Sequence, residues 1–178
     1  MKEQLIKRCI MDRGSVQIYF GSGRGKTTAA IGQAIKAASQ GKSVFVIQFL
    51  KEKKEDEISF LARLEPEIKL FRFEKTEESF QNLTEDEQAE EIQHLKNGMN
   101  FAKKVVVTEE CDVLVLDEVL GLMDYGIVTA EDLRSLIGMS REGMRLIFTG
   151  SRSGEEIWDV VDEAVELVPR KTTIDNRI

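Results

Sequence analysis

The sequence predicts an α/β protein: an open, mostly parallel sheet with helices on both faces. Three observations carry that prediction. Segments 43–48 and 113–116 are nearly unbroken apolar, β-branched runs of strand length, the pattern of strands covered on both sides. Segments with apolar residues three or four apart lie between such runs, so strands and helices alternate along a short chain. A short strand also runs straight into a glycine-rich turn and then a helix, between residues 16 and 28.

Taken in order, Val16-Gln17-Ile18-Tyr19-Phe20 reads as the first strand. An alanine-rich helix is expected from Lys26 to Ser39, ended by Gly41. Ser43 to Gln48 is the second strand, and the mixed-charge run Lys51 to Glu57 is a solvated face. A short helix is expected around Ile58 to Leu64, stopped before Pro66, and then a strand from Ile68 to Phe73. Thr84 and Glu87 have capping-box spacing and open the clearest helix, with Ala89, Ile92, Leu95, Met99, Ala102 and Val106 on one stripe. Val113 to Leu116 is a strand that ends in Asp117-Glu118. Thr129 caps a helix bearing Leu133, Leu136 and Ile137, and Met144 to Phe148 is a strand ending at Thr149-Gly150. Ser153 and Glu156 have the spacing of another capping box, opening a helix with Ile157, Val160, Val161 and Ala164, and Val165 to Val168 is a last short strand. Phe45, Phe49, Phe71, Phe73 and Trp158 are read as packing residues, because no basic residues interleave with the phenylalanines as in a base-stacking platform. Strand order does not follow from this pattern.

The 178 residues suit one domain, with flexible ends at 1–14 and 169–178. A chain of this size buries enough surface to need no covalent staples. Lys and Arg number 25 against 32 Asp and Glu, a net charge of −7, which argues against nucleic acid or an anionic membrane as the main partner. No apolar run has the length of a membrane span, and the start has no signal-like apolar stretch. Cys9 and Cys111 are far apart and His94 stands alone, so neither a disulfide framework nor a zinc site is expected. These readings place the protein in the cytoplasm with reduced thiols.

The chemistry concentrates at Gly21-Ser22-Gly23-Arg24-Gly25-Lys26-Thr27-Thr28. The first turn of a helix has amide N–H groups without intrahelical partners, and its dipole favours an anion there. Glycines let the backbone wrap closely around phosphate oxygens. Lys26 would add a point charge, and the Thr27 hydroxyl would meet Mg²⁺. The spacing is one residue shorter than the usual phosphate-loop pattern, with Phe20 where that pattern has glycine. The second feature is the acidic pair Asp117-Glu118 at the carboxyl end of a buried strand, where parallel sheets bind ligands. Either carboxylate could hold Mg²⁺, directly or through water.

The loop Gly-x-Gly-x-Gly-Lys-Thr-Thr, followed by Ala29-Ala30, Gly32 and Ala34, resembles that of the ATP:corrinoid adenosyltransferases. The likeness continues through Ala37, Gly41, Val44, Val46 and Gln48-Phe49-x-Lys51. It returns at Asp112 to Glu118, at Tyr125-Gly126 and at Thr149-Gly150. The resemblance implies a RecA-like P-loop fold and a homodimer. It also implies transfer of the 5′-deoxyadenosyl group of ATP to Co(I) of a corrinoid, with release of triphosphate, and a reductase that supplies Co(I). Residues 21–28 would hold the triphosphate, in the sense opposite to ordinary NTPases. Lys26 and Glu118 would be the catalytic residues, and Thr27 with Asp117 or Glu118 would hold the metal. The chain departs from the family at Leu120, where asparagine is common, at Glu52, where glycine is common, and in its last residues, which lack a Lys-His-Pro-Phe segment. Two other readings stand beside this one: a RecA-like ATP hydrolase in which Glu118 polarises water, and a nucleotide-binding relative without a corrinoid site.

Overall fold

The computed structural model describes residues 14–50, 63–73, 75 and 78–171. Its elements run β1 Ser15–Phe20, α1 Lys26–Ala38, β2 Val44–Gln48, β3 Ile68–Arg72, α2 Glu85–Val107, β4 Val113–Asp117, α3 Gly121–Asp124, α4 Ala130–Gly138, β5 Arg145–Gly150 and β6 Glu163–Glu166. Two 3₁₀ turns, Phe80–Asn82 and Glu155–Val160, precede α2 and β6. The strands form one sheet in the order β3-β2-β4-β5-β1-β6, and every pairing is parallel. The sheet is thus parallel throughout, where the sequence had suggested mostly so.

Side chains on a strand alternate between faces, and this splits the core in two. Ile18, Ile47, Leu114, Leu116, Leu146 and Phe148 face α2 and α4, meeting Leu95, Met99, Ala102, Leu133 and Leu136. Tyr19, Val44, Val46, Val113, Val115 and Ile147 face α1, whose contacts are the small residues Ala30, Ala34 and Ala37. The small alanines let α1 lie close to the sheet, which fixes where its first turn stands. The four expected phenylalanines lie in or against the core. Phe45 and Phe49 are buried, and Phe71 packs against Phe45 and Phe101 at ring distances of 5.1 and 4.7 Å.

The capping boxes behave as their spacing predicts on α2. Thr84 N–H donates to the Glu87 carboxylate at 2.9 Å, and the Thr84 hydroxyl accepts from Glu87 N–H. Thr129 caps α4 in the same reciprocal way, with Asp132 as its partner. Ala89, expected on the buried stripe of α2, is exposed, and Glu91 is buried instead, accepting from Lys75 N–H at 3.0 Å.

Ser153 and Glu156 do not form the expected box. Gly154 takes a left-handed conformation at the cap position (φ 65°), and the segment after it is 3₁₀, not α. The Ser153 carbonyl accepts from the Trp158 indole, and Glu156 pairs with Arg152. Val165 lies in β6, which starts and ends earlier than its sequence pattern suggested. Trp158 packs against Phe20, with ring centroids 6.0 Å apart and the rings tilted, while staying 42% exposed. Gly14, expected in a flexible end, is buried and donates to the Ser140 hydroxyl at 3.1 Å. The charged run 51–57, most of the short helix expected near 58–64, Cys9, and the terminal segments 1–13 and 172–178 lie outside the described residues. No helix among the described residues is long and apolar enough to cross a membrane.

Candidate active site at the carboxyl edge of the sheet

The turn from β1 into α1 is held from within and from outside. Gly21 and Gly25 have φ of 114° and 99°, conformations that strain any side chain. Lys26 curls back over the turn, its ammonium donating to the Gly21 and Gly23 carbonyls at 2.9 Å each. From outside, Leu167 just beyond β6 donates to the Phe20 carbonyl at 2.7 Å and accepts from Gly23 N–H at 2.8 Å.

This last contact bears on why glycines stand in the loop. The glycines were expected to clear space for phosphate oxygens. At Gly21 and Gly23, however, a Cβ would lie only 2.6 and 2.5 Å from the Leu167 carbonyl oxygen. Their smallness admits the segment at Leu167, and the Gly23 amide donates to it. The start of α1 offers further donors. No side chain caps that helix, and the amides of its first turn have no intrahelical acceptor. Ser22, Arg24 and Thr28 are exposed around this point, and Gly25, Lys26 and Thr27 are half-buried.

The packing of α1 on the sheet brings Thr27 to Asp117 at the end of β4. The Thr27 hydroxyl donates to Asp117 Oδ1 at 2.9 Å. Asp117 is fully buried, and its carboxylate also accepts from Thr149 Oγ1 at 2.7 Å and from Gln48 Nε2 at 3.0 Å. Asp117 is therefore fixed from α1, β5 and β2 at once. A threonine hydroxyl and a carboxylate are hard oxygen donors, suited to a divalent cation that takes its remaining ligands from phosphate and water. Among the described residues no group of three or more His, Cys, Asp or Glu side chains gathers as a metal cage.

Glu118 stands apart from that pair. Its backbone is left-handed (φ 61°), and its Oε1 accepts from Ser151 N–H at 3.3 Å above the start of α3. Thus the structure brings Lys26, Thr27 and Asp117 together around the α1 terminus, and sets Glu118 on the β5 side. Sequence reasoning gave no site role to Thr149 or to Gln48. Gln48 ends the buried strand β2, and Thr149 follows the buried apolar run Leu146-Ile147-Phe148 in β5; a buried polar residue at the carboxyl end of an apolar run is the signal that marks them. His94 is exposed on α2, away from this cluster. Cys111 is buried beneath β4, and burial pushes its thiol up to about 12, so it stays neutral.

The model of the family described as ATP:corrinoid adenosyltransferase BtuR/CobO/CobP matches residues 12–178. The chain belongs to that family. Corrinoid adenosyltransferase CobA of Salmonella typhimurium is 30% identical over 164 residues, covering 92% of this chain and 81% of the relative. The corrinoid adenosyltransferase of Escherichia coli K12 is likewise 30% identical over 166 residues. Among solved structures, a KaiC-like protein of Pyrococcus horikoshii OT3 superposes with a TM-score of 0.54 at 19% identity, over 90% of this chain and 75% of its own. That likeness is one of fold. The chain has the α/β P-loop architecture of RecA-like type, with the loop strand β1 and the acidic strand β4 separated by β5.

Proposed function

We infer that this chain transfers the 5′-deoxyadenosyl group of ATP to the Co(I) centre of a corrinoid and releases triphosphate. The observation that carries the reading is the Thr27–Asp117 pair beside the uncapped start of α1, in a chain matched to this family along nearly its whole length. Reduced cobalt is the nucleophile in this reaction. Its electron pair forms the Co–C bond at C5′ as the C5′–O bond breaks and triphosphate leaves with the bonding electrons. The protein therefore has to hold ATP, aim C5′ and stabilise a multiply charged leaving group.

The residues divide that work. The first-turn amides of α1 receive phosphate oxygens, and Lys26 supplies a positive charge to the departing triphosphate. Thr27 and Asp117 hold the cation. Mg²⁺ bound there would neutralise charge on the phosphate oxygens. Glu118 and the α3 region, which includes Leu120 and Tyr125, stand at the same sheet edge and face the co-substrate side in this reading. The reading carries with it a cytoplasmic homodimer and a reductase that delivers Co(I).

The test is anaerobic incubation of the full chain with Mg·ATP and chemically reduced cobalamin. The expected result is a light-labile Co–C bond, seen in the visible spectrum and dependent on both ATP and protein. Tight ATP binding without that spectral change would contradict the reading and favour a nucleotide-binding relative without transferase activity.

A further inference from the structure

A row of polar side chains crosses the carboxyl edge of the sheet and reaches past the site just described. Arg72, Gln48 and Asp117 are register neighbours on the adjacent strands β3, β2 and β4. Arg72 Nε donates to Gln48 Oε1 at 3.1 Å, and Gln48 Nε2 donates to Asp117 Oδ2 at 3.0 Å. The other carboxylate oxygen, Oδ1, takes the Thr27 and Thr149 hydroxyls. The direction of each bond follows from the groups. An ionised carboxylate only accepts, so Gln48 must turn its amide nitrogen toward Asp117. The Gln48 carbonyl oxygen is then left in a fully buried residue and needs a donor. Arg72, which has no acceptor atom, meets that need from the strand beyond and adds a positive charge one amide away from the carboxylate.

We propose that Arg72 is a positioning residue for Asp117, acting through Gln48, and that it sets the affinity of the Thr27–Asp117 pair for the divalent cation. The proposal rests on the metal role given to that pair above. Partners of a ligating carboxylate fix its orientation, and their loss commonly weakens metal binding by about 10–100-fold. Arg72 itself touches neither metal nor nucleotide in this account. Its effect travels through the Gln48 amide.

Mn²⁺ reports on the site directly through its electron paramagnetic resonance signal. The full chain, in excess over ATP, is titrated with Mn²⁺ as wild type, Arg72→Ala, Arg72→Lys and Asp117→Asn. ATP binding in EDTA and thermal midpoints are measured alongside. Arg72→Ala is expected to weaken Mn²⁺ binding roughly tenfold while leaving metal-free ATP binding unchanged. Arg72→Lys, which keeps a cationic donor, is expected to fall between that variant and wild type, and it carries the test if Arg72→Ala fails to fold. Turnover of Arg72→Ala should recover at saturating Mg²⁺. An Mn²⁺ midpoint within twofold of wild type for the Arg72 variants, with Asp117→Asn strongly impaired, overturns the relay and leaves the metal reading standing. Equal loss of metal-free ATP binding, thermal stability and Mn²⁺ affinity would show a structural role and also overturn it. An unchanged midpoint for Asp117→Asn overturns the metal reading, and the relay with it.

Discussion

At the scale of single residues, function and stability use the two edges of the sheet. At the carboxyl edge, Lys26 is held by two loop carbonyls and is half-buried, so it is a movable charge and not a core element. Lys26→Ala removes charge-assisted contacts to phosphate worth about 1.5–3 kcal/mol. Calorimetry is expected to show ATP binding weakened roughly tenfold or more, with little change in Tm; unchanged binding would remove Lys26 from the phosphate site. At the amino edge, Asp112 ties the start of β4 to the start of β2. Its carboxylate accepts from Ser43 N–H at 3.0 Å, from the Ser43 hydroxyl at 3.1 Å and from Arg141 at 3.1 Å. The Ser43 backbone contact chiefly holds the Asp112 carboxyl below its ordinary range, with the Ser43 hydroxyl and Arg141 adding to it. A carboxyl depressed in the folded state stabilises above its unfolded pKa, and the contribution is lost as pH falls through the folded value. Asp112→Asn is therefore expected to lower Tm at pH 7, by an amount that shrinks as the pH falls below the usual carboxylate range. Cys111, neutral and buried, is expected to resist alkylation at pH 8 in the native protein and to react once unfolded, as peptide mapping would show.

At the scale of elements, the outcome depended on whether a signal was local. The α2 capping box was legible because Thr84 and Glu87 are neighbours in sequence and exposed, so nothing distant competes for them. Thr84→Ala is expected to cost about 1 kcal/mol, read as a lower urea midpoint. Ser153 and Glu156 carry the same spacing, but Gly154 and Arg152 redirect both groups, and the α-helix gives way to a 3₁₀ turn. The loop glycines show the same limit. Their sequence pattern announces a phosphate site, but Gly21 and Gly23 are small because Leu167, more than 140 positions away, passes against them. Gly23→Ala is expected to disturb the seam between the loop and β6, lowering both Tm and ATP affinity. A substitution that leaves both unchanged would show that the Leu167 contact is dispensable.

At the scale of the whole molecule, alternation of strand and helix gave the fold class, because burial on both faces leaves a one-dimensional trace in sequence. The order β3-β2-β4-β5-β1-β6 left no such trace, since it depends on which strands meet across the sheet. That order creates the site: it seats Asp117 between Gln48 and Thr149 and lets α1 bring Thr27 from the other side of β5. The residues of the loop and the acidic pair were readable one by one, and the division of labour between Asp117 and Glu118 was not. The reaction proposed for this site is separated from ATP hydrolysis by its inorganic product. Attack at C5′ releases triphosphate intact, whereas attack at the γ-phosphorus releases orthophosphate and ADP. Phosphorus NMR of the protein with Mg·ATP and reduced cobalamin, under anaerobic conditions, reads the difference directly. Triphosphate is expected to form in step with alkylated corrinoid and to be absent without corrinoid; orthophosphate and ADP formed with no corrinoid present would contradict adenosyl transfer.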